Sequence, residues 1–166
     1  MYPKRALMLA IAAAVHLAAH ADTLPARLTG TWSTSTSPET ERAAHNEFYL
    51  EADGFGAAVG SAPALRFAGA VDDRTPGPRA VIGFPLRGSA DGDTLTLHPF
   101  APKGTSADQA TRAAAIAIAC RYDADLVVLT CTGPDGKPFT MQRHSATVPD
   151  EVARRIAALR AQASAP

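Results

Sequence analysis

The sequence predicts a mainly β fold of about eight or nine short antiparallel strands, followed by one helix at the C-terminus. Asp-Gly turns recur between short apolar segments, and folding the chain about each turn brings apolar side chains onto one face. The last segment changes from a period of two residues to a period near 3.6. Strands that each bury one face form either a single sheet closed on itself or a sandwich.

The chain begins with a segment typical of a secretory signal peptide. Lys4 and Arg5 precede an apolar stretch, and the tripeptide AHA that ends at Ala21 has the small residues of a cleavage site. The apolar stretch is shorter than the roughly 20 residues that a membrane-spanning helix needs. We expect a signal peptide at 1–21 and a single domain at 22–166, without a membrane span after cleavage; an uncleaved anchor is the alternative.

The charge, the Ala and Arg content and the two cysteines indicate which partners and which cellular compartment to expect. Removal of Lys4 and Arg5 leaves 14 basic and 16 acidic side chains, a net charge of −2, which provides no basic field for nucleic acid. The abundance of Ala and Arg is typical of a GC-rich bacterial genome. Together with the predicted signal peptide, this composition leads us to expect an exported bacterial protein that is periplasmic or secreted. In such an oxidising compartment, Cys120 and Cys131 are predicted to form a disulfide, with two free thiols as the alternative.

The first predicted hairpin is NEFYLEADGFGAAVG. Asp53-Gly54 suits a two-residue type I′ turn, which pairs Leu50 with Ala57 and Phe48 with Val59. This register predicts one continuous apolar face. Its members are Phe48, Leu50, Ala52, Phe55, Ala57 and Val59.

The second predicted hairpin turns at Asp91-Gly92 and sets Leu86 opposite Leu97. Pro85 indicates an edge position or a bulge, because proline cannot donate to a strand ladder. The apolar face of this hairpin is expected to hold Ile82, Phe84, Leu86, Leu95 and Leu97. Residues 65–71, before this hairpin, predict a weaker strand.

The third predicted hairpin turns at 133–137, with Gly136 in a left-handed conformation. It opposes Cys131 to Phe139, Leu129 to Met141 and Val127 to Arg143. A further turn around Ala124-Asp125 places Cys120 opposite or diagonal to Cys131. In the connection before these strands, Ser106 and Gln109 resemble a capping box, which favours a helical turn.

The C-terminal segment predicts a helix over about 149–163. Val152, Ile156 and Leu159 form one apolar stripe, and acidic residues suit its first turn. We expect this stripe to cover a flat outward wall made of Ala115, Ala117 and Ala119.

The motif Gly30-x-Trp32 at the first strand, the series of hairpins and the C-terminal helix together resemble the lipocalin-like, or calycin, β-barrels. The resemblance implies an antiparallel up-and-down β-barrel of about eight strands with the helix packed outside. It also implies that Trp32 plugs the closed end of the barrel and that Arg143 packs across it as a cation–π contact. The Thr-Asp-Tyr motif of typical lipocalins is absent. Small periplasmic inhibitors of secreted metalloproteases share this barrel and an early tryptophan.

The sequence contains no recognisable catalytic constellation. His45, His98 and His144 are widely spaced and are expected at the surface, although a three-histidine site at a barrel rim is the alternative. No motif of an activated serine nucleophile is present. We therefore expect no enzyme activity, no metal and no cofactor.

The inward apolar face suggests the function. It either fills a solid core or leaves room for one small ligand, and both outcomes are open for a barrel of eight strands. The sequence predicts a lipocalin-like protein of the bacterial envelope that binds a small apolar or amphipathic ligand. A protein-interaction module, such as an inhibitor of a secreted or periplasmic enzyme, is the alternative. The candidate lining residues are Phe48, Leu50, Phe55, Phe84, Leu97, Leu129 and Met141.

Overall fold

The computed structural model describes residues 23–34, 45–63 and 79–163, which form eight strands and two helices. The strands are β1 (Gly30–Ser33), β2 (His45–Leu50), β3 (Phe55–Pro63), β4 (Arg79–Asp91), β5 (Thr94–Pro99), β6 (Ile118–Asp123), β7 (Val128–Thr132) and β8 (Pro138–Ser145). Helix α1 (Ala107–Ala114) lies between β5 and β6, and α2 (Asp150–Ala163) follows β8. The expected signal peptide and the weaker strand at 65–71 lie outside the described residues.

The eight strands close into an antiparallel up-and-down barrel. Each strand pairs with the next in the chain, and β8 pairs with β1. This closure confirms the predicted fold class and excludes the sandwich. We call the end that carries residues 23–29 and the turns at 51–54 and 124–127 the plugged end. The opposite end, which carries the turn at 133–137, is called the mouth.

The third hairpin has the predicted register. Leu129 lies opposite Met141, and Cys131 lies opposite Phe139. The amide of Gly133 donates to the carbonyl of Lys137, and Gly136 has a φ of 75°, as a type I turn with a G1 bulge requires. Local turn chemistry was therefore sufficient to predict this part of the barrel.

The predicted register of the first hairpin is wrong by one residue. Leu50 lies opposite Gly56 and Phe48 opposite Ala58, because the loop has three residues instead of two. The amide of Glu51 donates to the carbonyl of Phe55, which makes this turn the same type as the third. A slip of one residue reverses the faces of a strand, so Ala57 and Val59 face outward.

The second hairpin turns one residue later than predicted. Asp91 lies opposite Thr94, so the turn residues are Gly92 and Asp93. This shift moves the pairing by two positions and leaves the predicted inward face of β5 unchanged. Beyond Leu86, β4 continues toward the mouth while β5 ends at Pro99.

The extension of β4 explains two observations. Pro85 lies just past the last β4–β5 pair, where its missing N–H removes no hydrogen bond to β5. Ile82 and Phe84, which were predicted to share the buried face of Leu86, are 70% and 37% exposed because β5 does not reach them.

The connection between β6 and β7 is longer than predicted. Asp123 lies opposite Val128, and its carboxylate accepts from the amides of Asp125 and Leu126. Val127 therefore belongs to the turn, with a φ of 54°, and not to the inward row. Cys120 lies directly opposite Cys131, and the two sulfur atoms form a disulfide.

A single apolar core fills the barrel from the plugged end upward. Each fully buried aliphatic or aromatic side chain contributes about 1.5–3 kcal/mol, so this core is the main stabilising feature of the fold. Its members are Leu24, Leu28, Trp32, Phe48, Leu50, Ala58, Leu86, Leu95, Leu97, Ile118, Cys120, Leu129, Cys131 and Met141.

Helix α2 lies outside the barrel, as predicted, but on a different wall. Ile156 is buried, and the stripe that it shares with Val152 and Leu159 faces the outer side of β2, β3 and β4. Ala115, Ala117 and Ala119 are exposed. The reversed face of β3 explains the difference, because it presents Ala57 and Val59 as an apolar wall on the outside of the barrel.

Arg160 attaches the C-terminal half of α2 to the β2–β3 hairpin. Its guanidinium forms ion pairs with Glu51 and Asp53 and lies 5.2 Å from the ring centroid of Phe55. At the other helix, Ser106 is the N-cap of α1 and its side chain accepts from the amide of Gln109, as the sequence predicted.

Candidate functional site

The plugged end is closed by Trp32. Its side chain is fully buried, and its indole N–H donates to the carbonyl of Leu28 at 3.1 Å. The guanidinium of Arg143, directly opposite on β8, lies 5.7 Å from the Trp32 ring centroid and donates to the carbonyls of Ala26 and Thr29. The contact implied by the resemblance is therefore present. Trp32 closes the barrel floor and does not line the mouth.

Gly30 is required for this closure. Its φ is +103°, and a Cβ atom there would lie 2.2 Å from the carbonyl oxygen of Ser145 on β8. Only glycine combines that backbone conformation with such a close approach of two strands. The glycine of the Gly30-x-Trp32 motif thus lets β1 and β8 meet beside the buried indole.

Four of the predicted lining residues belong to the solid part of the core instead of a cavity. Leu50, Leu97, Leu129 and Met141 are fully buried among other core side chains and border neither the cavity in the mouth nor the one between α2 and the barrel. Phe55 lies on the outer side of β3, opposite Arg87, where its ring packs edge-on against Phe100. Its predicted inward orientation is wrong because the β2–β3 register is shifted by one residue.

The mouth holds a cavity of about 350 Å³. Phe48 and Phe84, both predicted as lining residues, border it, and the Phe48 and Phe139 rings pack edge to face with centroids 6.2 Å apart. Its lining residues are Asn46, Phe48, Ala58, Val59, Gly60, Ile82, Phe84, Ile118, Gly133, Pro134, Asp135, Lys137, Pro138 and Phe139.

Polar groups of the mouth cavity come mainly from the β7–β8 turn. The ammonium of Lys137 lies 3.5 Å from the carboxylate of Asp135. Asn46, on β2, is a further polar residue that lines the cavity. Sequence reasoning did not include the turn among the lining residues. A usable signal was present, since strands that alternate in direction place this turn at the end opposite Trp32.

A second cavity, of about 400 Å³, lies outside the barrel between α2 and the outer side of β2, β3 and β4. Its walls are mostly apolar, with Tyr49, Glu151 and Arg155 as the polar members. Its lining residues are Tyr49, Ala57, Ala58, Val59, Gly83, Phe84, Pro85, Glu151, Val152, Arg155, Ile156 and Leu159.

A row of polar side chains runs along the outer face of β2 beside this second cavity. The hydroxyl of Tyr49 donates to the carboxylate of Glu47, and the other carboxylate oxygen lies 3.3 Å from Nε2 of His45. Burial raises the pKa of the Tyr49 phenol, and the hydrogen bond and charge of Glu47 raise it further. The phenol is therefore neutral at physiological pH.

The histidines occupy different environments. His45 is 3% exposed, in contrast to the expected surface position, whereas His98 and His144 are exposed. Within residues 23–34, 45–63 and 79–163, no three His, Cys, Asp or Glu side chains converge in a way that could hold a metal ion.

Neither of the two described helices combines the length and apolar character needed to cross a membrane.

Comparisons with known proteins identify no family for the chain. No protein-family model matches the chain. No curated protein matches it significantly. Among solved structures, the chain is similar to the lipoprotein YedD from Klebsiella pneumoniae subsp. pneumoniae MGH 78578, with 14% identity and a TM-score of 0.44 over 87% of this chain and 92% of that one.

Proposed function

We propose that the protein binds one small apolar or amphipathic molecule in the mouth of the barrel. The observation that supports this most directly is the cavity of about 350 Å³ above the solid core. Ligand pockets in proteins span about 300–1,000 Å³, so this cavity suits a compact ligand at the lower end of that range. The proposal assigns the protein a binding role and no catalytic one.

The cavity walls define the chemistry of the proposed ligand. Phe48, Phe84 and Phe139 offer aromatic surface, and edge-to-face packing of Phe48 with Phe139 leaves faces that accommodate a flat apolar body. Asp135 and Lys137 stand at the turn above them, where a polar group of the ligand would remain in contact with water. The proposed ligand therefore has an apolar body and at most one polar end.

The compartment is part of the same proposal. The Cys120–Cys131 disulfide supports a location in an oxidising environment, such as the periplasm or the extracellular space, because disulfides are rare in a reducing cytosol. A bacterial envelope protein that holds a poorly soluble small molecule fits both features.

Titration of the purified, oxidised protein with N-phenyl-1-naphthylamine, whose fluorescence rises in apolar surroundings, tests the proposal. We expect a saturable signal with one site per chain. Gly60→Leu should abolish most of it, because Gly60 lines the cavity and its new side chain would extend toward Asn46 and Ile82. The matched control is Ala119→Leu, which adds a similar side chain to the exposed outer face of β6.

Two results would reject the mouth as the binding site. One is the absence of any saturable signal in the wild type. The other is equal affinity in the wild type and in Gly60→Leu, provided that both proteins retain the buried Trp32 fluorescence of the native fold.

A protein-interaction role is the second candidate, supported by the exposed apolar side chains of Val81 and Ile82 next to the mouth, which are 68% and 70% exposed. Exposed apolar patches of this kind often mark contact sites for other proteins. Replacement of Val81 by Ser should then reduce recovery of a stoichiometric partner from envelope extract, while probe binding in the mouth should continue, because Val81 does not line that cavity. No partner, or a partner that still binds the variant, would contradict this role.

A further inference from the structure

The space beneath α2, of about 400 Å³, lies on the outer side of the wall formed by β2, β3 and β4. Small side chains create it. Ala57 and Gly83 face the helix where larger residues would fill the gap, and Val59 lies opposite Gly83 in the β3–β4 ladder. A Cβ atom on Gly83 would meet its nearest neighbours at 3.6 and 3.8 Å, which is ordinary contact, so steric crowding of the backbone does not explain this glycine.

The helix is attached unevenly above this space. Arg160 holds its C-terminal half to the β2–β3 hairpin, and Ile156 is buried at its centre. Toward the N-terminus, Glu151 and Arg155 pair with each other at 2.6 Å, and both side chains are largely exposed. The N-terminal half is therefore the side from which a molecule would enter.

Tyr49 determines the hydrogen bonding available at this site. Its only O–H bond is directed at Glu47, so the hydroxyl oxygen can offer the cavity only lone pairs. The raised pKa of the phenol keeps that proton in place at neutral pH. A polar group that meets Tyr49 from the cavity must therefore be a hydrogen-bond donor.

The charges around the cavity favour a cationic donor. Among its described lining residues, Arg155 is the one cation, and it is paired with Glu151. Glu47 adds a further carboxylate behind the Tyr49 hydroxyl, where His45 contacts its other oxygen. Asp150 and Glu151 also lie in the first turn of α2 and offset the positive end of the helix dipole.

We propose that the space beneath α2 is a second binding site, distinct from the mouth, which takes a small linear amphiphile with a primary ammonium head. The head group donates to the Tyr49 hydroxyl beside Glu47, and the alkyl chain lies along Val152, Ile156 and Leu159. The inference does not depend on the proposed role of the mouth.

The test is a titration of the ¹³C-methyl-labelled full chain with octylammonium, followed by NMR. We expect saturable shifts of the methyl signals of Val152, Ile156 and Leu159, while those of Ile82 and Ile118 at the mouth stay in place. Octanoate has the same chain and the opposite charge, so it should bind at least about tenfold more weakly.

Two variants locate the head group and the chain independently. Tyr49→Phe removes the acceptor and should weaken octylammonium binding about tenfold, which corresponds to one hydrogen bond to a charged group. Tyr122→Phe is the matched control, because it makes the same change at the plugged end, beside Trp32. Gly83→Leu should abolish binding by filling the cavity, whereas Gly60→Leu, which fills the mouth, should not change it.

The proposal is overturned if octanoate binds as tightly as octylammonium, or if the shifts appear only at Ile82 and Ile118. It is also overturned if Gly83→Leu binds octylammonium like the wild type. Because Gly60→Leu changes only the mouth, loss of probe binding there and loss of octylammonium binding beneath α2 are separate results. Failure of one proposal is therefore distinguishable from failure of the other.

Discussion

Replacement of Arg143 by Met should destabilise the barrel far more than replacement of another arginine on the outer wall. Arg143 lies opposite Trp32, and one guanidinium nitrogen donates to the carbonyls of Ala26 and Thr29 at 2.7 and 2.9 Å. These bonds attach the segment before β1 to the last strand. Met keeps most of the apolar stem and removes the charge and all donors.

The size of the effect follows from these contacts. A partly desolvated cation–π contact contributes about 0.5–2 kcal/mol. A hydrogen bond to a charged group contributes about 1.5–3 kcal/mol, but water can replace the donor at the exposed Ala26, so the Thr29 bond dominates. We expect a loss of about 2–4 kcal/mol in the free energy of unfolding. Arg143→Lys keeps the charge near the ring and should lose about half as much.

The assay uses Trp32, the only tryptophan in the chain, as its own probe. It is fully buried, so urea unfolding exposes it and shifts its fluorescence. The control is Arg121→Met, which removes an exposed arginine from the outer face of β6 and should change stability by less than about 0.5 kcal/mol. A loss in Arg143→Met no larger than in this control would refute the role of Arg143 in closing the barrel.

Gly30→Ala should lower the free energy of unfolding in urea by at least about 3 kcal/mol, because the substitution combines a strained φ with a backbone clash. Gly92 also has a positive φ but lies in open space, so Gly92→Ala should lower it by only about 1 kcal/mol. Equal losses in the two variants would contradict this. Replacement of Cys120 and Cys131 by Ala should cost about 2–3 kcal/mol, given their separation of 11 residues, and an unchanged urea midpoint would count against it. Burial, and then the hydrogen bond and charge of Glu47, raise the pKa of Tyr49 in the folded state. The neutral phenol therefore stabilises the fold below the unfolded tyrosine pKa of about 10, and this stabilisation is lost as the pH rises above that value. Wild type should therefore lose more stability than Tyr49→Phe between pH 8 and pH 11, and parallel losses would disprove this.

The predictions from the sequence agreed with the structure where local chemistry allowed only one arrangement of the backbone. The turn at 133–137 contains Gly136 at the one position that needs positive φ, and the register of β7 with β8 follows from it. The contact between Trp32 and Arg143 was predictable because the resemblance placed them on the first and last strands. Closure of the barrel makes those two strands neighbours.

The candidate site was only partly predictable, because one loop residue decided which face of β3 is buried. Asp53-Gly54 suits a two-residue turn and also the end of a three-residue turn, and the structure has the second arrangement. That choice moves Phe55 outside the barrel and directs Ala57 toward α2. It thereby creates the space beneath the helix, which no pattern in the sequence indicated.

The amino-acid sequence by itself determined the strand segments, the turn between β7 and β8, the disulfide pair and the amphipathic C-terminal helix, because each depends on residues close together in the chain. Tertiary structure alone decided where the core ends and the cavities begin. β5 stops opposite Leu86 while β4 continues, so Phe84 borders the mouth and Leu97 lies in the solid core. Such differences arise from how strands of unequal length meet, and residues far apart in the sequence contribute to them.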